Sequence, residues 1–202
     1  MMKKQIIQTC RDKSGSTLVE FSLLLGFLLF TTFGIVEGGY IFYQVNGAQK
    51  ATQAAARYAA TRPPVAKNLN ECVTSGSLPS VNAGTDCSLL TGVSYDKVVC
   101  QYTGAETSDC SQANFLPIRD QMKAVFPFIE DENIWITYEG TGLGYIGRGK
   151  PVPAITVELR NIQYSYVVLG QLMRWQGSDI GTAFNISNVQ TTVIGEDIGE
   201  GA

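Results

Sequence analysis

The feature that most constrains this chain is a run of sixteen residues, 21–36, that carries no charge and is bounded by two carboxylates, Glu20 and Glu37. Continued through residue 43, the stretch reads as a membrane helix. Its 23 residues at ~1.5 Å each reach roughly 34 Å, enough for the hydrocarbon core of a bilayer. Lys3, Lys4, Arg11 and Lys13 stand ahead of it against Asp12 alone, so the first fifteen residues carry +3 and the rest of the chain −6. Basic residues before a span place the amino terminus in the cytoplasm and export the chain beyond the span. Tyr40 and Tyr43 fall where an interfacial aromatic belt would lie. A carboxylate at the mouth of a membrane segment is costly and usually functional. Glu37 has two readings: it lies near the outer interface and reaches headgroups, or it is buried against a partner.

The basic head ends at Gly15, and Glu20 stands five residues after it. A Gly-x4-Glu set between a basic head and an apolar helix resembles the processing site of a type IV prepilin. The resemblance implies that a membrane aspartyl peptidase (the prepilin peptidase) cuts between Gly15 and Ser16. It also implies that Glu20, fifth in the mature chain, pairs with a neighbouring subunit's new amino terminus. The plain alternative is a signal anchor whose Gly and Glu coincide by chance. Residues 1–15 lack the apolar region of a secretory signal peptide, and the nine residues before Cys10 are too short and polar for a lipoprotein signal.

Residues 44–61 continue the helical pattern until Pro63-Pro64 stops it. Gly34 and Gly38 make a G-x-x-x-G step that admits a close helical neighbour. Gly47, Ala51, Ala55 and Ala59 recur every four residues and form one small-residue ridge. That ridge either receives another helix or lies on the chain's own head. The residues Glu37-Gly38-Gly39-Tyr40, Ala48 and 54–62 (AAARYAATR), taken with the Gly15–Glu20 junction, resemble the TadE-like pseudopilins, or minor pilins, of the tight-adherence (Flp) pilus. The resemblance spans residues 15–62 and departs from the family at Gly39, where Arg is more frequent. It implies other pilins, an inner-membrane assembly platform and the prepilin peptidase as partners.

Histidine is absent, which excludes Ser-His-Asp and Cys-His catalysis and HExxH zinc sites. No enzyme, cofactor or metal is expected, and a net charge of −3 gives no footprint for nucleic acid. Cys72, Cys87, Cys100 and Cys110 all lie beyond the apolar run, so export implies two disulfides. Three pairings are open. Cys72–Cys87 with Cys100–Cys110 is favoured because each closes a local loop, stabilising by on the order of 3 kcal/mol.

The remaining pattern predicts an α+β head over 63–202 with a small antiparallel sheet. Residues 66–104 read as loops with one short strand at 97–102. A helix over 115–126 is capped by Asn114 and ended by Pro127, and alternation marks strands at 134–139, 154–160 and 188–194. The acidic triplet Glu130-Asp131-Glu132 lacks EF-hand spacing and reads as a solvated turn. Gly142-x-Gly144-x-x-Gly147 matches GxGxxG, but no helical pattern comes after it, so it reads as a flexible hairpin loop. The tail, 195–202, reads as frayed.

The chain thus divides into a leader (1–15), a helical stalk (16–62) and an exported head (63–202). The expected function is a minor pilin at the bacterial inner membrane, with the pilus as its destination. A membrane-anchored periplasmic adhesin and a type II secretion pseudopilin are the competing readings. Amino-terminal sequencing of protein made together with its peptidase is predicted to begin Ser-Thr-Leu-Val-Glu. Replacing Gly15 by a large residue blocks the cut, and a mature chain that starts elsewhere contradicts the prepilin reading.

Overall fold

The computed structural model describes residues 14–67, 69, 82–86, 97–143, 145–146, 152–168, 170, 174, 183–185, 188–195 and 198. One helix, α1, runs from Ser14 to Ala60. It takes in both predicted helical segments without a break and begins seven residues before the apolar run. Leu-rich and Ala-rich sequence sustains it, since both residues are strong helix formers. The chain forms two compact units, Met1–Tyr43 with Ser165–Phe184, and Gln44–Tyr164 with Asn185–Ala202.

The strands in chain order are β1 (Val98–Gln101), β2 (Ile134–Gly140), β3 (Pro153–Leu159), β4 (Gln163–Ser165), β5 (Ala183–Asn185) and β6 (Val189–Ile194). Four of them form an antiparallel sheet in the second unit, in the order β1-β2-β3-β6. The short strands β4 and β5 pair separately and have no counterpart in the alternation pattern. Register agrees with the predicted alternation. Ile134 faces Leu159, Ile136 faces Val157 and Tyr138 faces Ile155, and all six are buried. Such directly opposed pairs share one face of the pleat. The other face holds Trp135 opposite Glu158, with the Arg160 guanidinium 4.4 Å from the Trp135 ring and bonded to the Glu158 carboxylate at 2.6 Å.

Helix α2 runs from Gln112 to Val125 and buries Phe115, Ile118 and Met122. It starts three residues earlier than the pattern indicated, and its cap is Ser111 rather than Asn114. All four amide groups of the first turn are met. The Glu106 carboxylate accepts from Gln112 and Ala113, the Ser111 hydroxyl from Asn114, and the Ser111 carbonyl from Phe115. Asn114 instead donates its side-chain amide to the Pro64 carbonyl at 2.8 Å. Lys67 pairs with Glu106, and that bond together with the two amides holds the Glu106 carboxyl below its ordinary value.

Cys100 on β1 is bonded to Cys110, just ahead of α2. Cys72 and Cys87 lie outside the described residues. Two other expectations need correction. The loop after β2 is tied rather than free at Ile146: the Gly84 amide donates to the Ile146 carbonyl, and the Ile146 amide to the Thr85 carbonyl. Nor is the tail frayed at Ile198, whose side chain is buried against Gly195, where an added Cβ would stand 2.7 Å from it.

Tyr138 ties the core face of the sheet to the chain leaving α1, because its phenol oxygen accepts the Val65 amide at 3.0 Å. Burial pushes this phenol up to about 12, with the Val65 bond pulling slightly the other way. Its folded value is above the unfolded one. The associated stability is therefore whole below about pH 10 and is lost as pH rises toward 12, by on the order of 2–3 kcal/mol. Urea unfolding of the detergent-solubilised protein checks this: wild type should lose more stability over that window than Tyr138→Phe. At neutral pH the variant should already be weaker by about 1–3 kcal/mol, because it strands the Val65 amide.

Candidate functional site

The candidate site is the surface of α1. From Gly15 to Val36 every residue is exposed except Thr31, which is half-buried. The exposed set includes Leu18, Phe21, Leu24, Phe27, Phe30 and Ile35. The helix is long and apolar enough to cross a membrane by length and composition. Ser22, Thr31 and Thr32 return their hydroxyls to carbonyls one turn back, so these polar groups are satisfied within the helix.

Gly15 and Ser16 both lie inside the first turns of α1, and nothing stands within 4 Å of a Cβ built on Gly15. Glu20 is exposed, and its Oε1 accepts the Ser16 hydroxyl at 3.1 Å. The i, i+4 spacing on a helix produces this meeting. It sets the candidate charge beside the residue that cleavage would turn into the amino terminus.

The candidate packing residues separate into two groups. Gly34 and Gly38 are exposed, and a Cβ at either would meet nothing within 4 Å. Gly47, Ala51, Ala55 and Ala59 belong to the second unit, where the three alanines are buried together with Ala48, Thr52 and Ala56. A Cβ on Gly47 would stand 2.9 Å from Cδ2 of Phe126, the residue that ends α2. Thr52 shares a hydrogen bond with Thr191 of β6 at 2.9 Å. Of the two surfaces open to the small-residue ridge, it takes the chain's own head. The ridge is small because the head approaches the helix backbone so closely.

Glu37 departs from the reading that sends it to lipid headgroups. It is only 3% exposed. Its Oε1 accepts the Val167 amide at 2.6 Å and its Oε2 the Val168 amide at 2.8 Å, all within the first unit. Two consecutive amides on the two oxygens of one carboxylate form a charge-assisted pair of bonds. Residues 167 and 168 lie outside every sequence motif, and a contact across 130 positions leaves no local signal. The one clue in the sequence is a carboxylate at the end of an apolar run.

In the acidic triplet Glu130 and Glu132 are exposed, while Asp131 pairs with Arg119 and Lys123, and the Glu130 amide donates to Asn133 Oδ1. The G-x-G-x-x-G stretch lies between the antiparallel strands β2 and β3, and among the described residues no helix stands between it and β3 to receive a pyrophosphate.

No curated protein and no solved structure matches this chain. Residues 15–57 match the family model described as TadE-like protein, a stretch that runs from the Gly15–Glu20 junction through the buried Ala48, Ala51, Ala55 and Ala56.

Proposed function

We propose that this chain is a minor pilin, or pseudopilin, used in building a tight-adherence-type pilus. A prepilin peptidase removes residues 1–15, leaving the amino terminus on the cytoplasmic side of the inner membrane and the head outside. Its partners are other pilins, the inner-membrane assembly platform and membrane lipid. The role is structural rather than enzymatic. The family match supports involvement in tight-adherence pilus systems. The observation that carries the finer reading is the first half of α1. It is a continuous helix, charge-free from 21 to 36 and exposed along that length but for the half-buried Thr31, with one carboxylate at its start.

That half does two tasks in turn. In the bilayer its apolar side chains are solvated by lipid, which stores the subunit. On extraction the same side chains need an apolar surround, which a bundle of like helices supplies. Glu20 then offsets the positive charge of a neighbour's Ser16 amine inside the bundle, where an unpaired charge would be expensive. Gly34 and Gly38, open in the single chain, are where a second helix backbone approaches.

The test is Glu20→Ala. Membrane insertion should persist, since the change only makes the segment more apolar, while recovery of pili or of partner-pilin complexes falls sharply. A variant that assembles as well as wild type contradicts a recognition role for Glu20.

A further inference from the structure

The Glu37 carboxylate brings a second stretch of backbone to the level at which α1 leaves the apolar layer. We propose that residues 166–168 form a second membrane contact of this chain, held in the interfacial layer of the bilayer beside α1 by the Glu37 carboxylate. The proposal rests on the reading of α1 as a membrane helix.

The charge-free run of sixteen residues covers about 24 Å as helix, less than the ~30 Å of a hydrocarbon core. The carboxylates that bound it therefore come to the edges of the apolar layer or inside them. Glu20 is exposed, five residues from the end of the basic head. Glu37, at the other end, is buried with both oxygens engaged by the Val167 and Val168 amides. The depth of Glu37 fixes the depth of those two residues, because the bonds measure 2.6 and 2.8 Å.

Each side of this contact supplies what the other needs in lipid. A carboxylate near hydrocarbon requires donors, and non-helical backbone near hydrocarbon requires its amides to be met. The segment also suits the place chemically. No charged residue occurs from Asn161 to Met173. Val167 is 49% exposed, so an apolar side chain points away from the protein at this level. Tyr166 precedes it, a residue type favoured where hydrocarbon meets headgroups. The neighbouring surface of α1 is apolar too, with Ile35 and Val36 exposed beside Glu37. Lipid at the interface is the occupant that covers both surfaces at once.

Depth measurement by spin labelling tests this on the full chain in vesicles of phosphatidylethanolamine and phosphatidylglycerol. A nitroxide is placed at Val167→Cys in a Cys10→Ser background, with the Cys100–Cys110 disulfide left oxidised and the parent setting the background signal. Phe27→Cys on α1 and Gln121→Cys on α2 are the lipid and water references; both positions are exposed. The label at 167 should favour collision with oxygen over a water-soluble nickel chelate several-fold more than the label at 121. Adding Glu37→Ala should shift it toward the water reference. A water-like reading at 167 beside a lipid reading at 27 overturns the proposal and leaves the membrane helix standing. A water-like reading at 27 overturns the membrane helix and the proposal with it. A lipid reading at 167 that Glu37→Ala leaves unchanged overturns the role given to Glu37.

Discussion

The structure depends on how closely the second half of α1 meets the sheet and α2 of its own head. Gly47 gives room to the Phe126 ring, and Ala48, Ala51, Ala55, Ala56 and Ala59 are buried without side chains that would hold the partner away. Alanine loses no side-chain rotamer freedom on burial and is the best helix former, so the seam forms at small entropic cost. Thr52 and Thr191 close the polar gap in it. The chain leaving the helix is then stitched along the approach to α2. Ser111 donates its amide to the Val65 carbonyl, Lys67 donates its amide to the Asp109 carbonyl, and Ala66 bridges Cys110. The Cys100–Cys110 bond fixes that approach to β1.

This seam also decides which part of α1 is open to partners. Small residues on a helix invite either another helix or the chain's own head, and spacing alone does not choose between them. Here the buried alanines are already covered, so they are not free to receive a partner helix. What α1 leaves open is its exposed first half, with Gly34, Gly38 and Glu20, and the polar outer face of its second half at Gln49, Lys50, Gln53 and Arg57. The two small-residue sets therefore differ, one packed in the tertiary fold and the other exposed in the single chain.

Much of this was legible in the sequence wherever the physics is local. The alternation in 134–139 and 154–160 marked the faces of β2 and β3, because a period of two has only one way to bury Ile136 and Val157 together. The continuous helix was legible from composition, and the Gly15–Glu20 junction from its spacing. What the sequence hid depends on distant partners. The cap of α2 passed to Ser111 because Glu106 and Asn114 had other groups to meet, the first turn and the Pro64 carbonyl. Ile198 is buried because Gly195 leaves it room beside Ile155. The strands β4 and β5 are three residues each, too short for periodicity to register. Glu37 was conspicuous in the sequence, but its donors lie 130 positions away.

The alanine ridge in the second half of α1 is covered by the head of the same chain, while Gly34, Gly38 and Glu20 in the first half stay exposed. A cysteine pair tests this packing. Thr52 and Thr191 place their hydroxyl oxygens 2.9 Å apart, so Thr52→Cys with Thr191→Cys should join within one chain on mild oxidation. The expected product runs as a monomer on a non-reducing gel and yields a 52–191 peptide on digestion. Dimers joined through position 52, or two thiols that both stay open to alkylation, would contradict it.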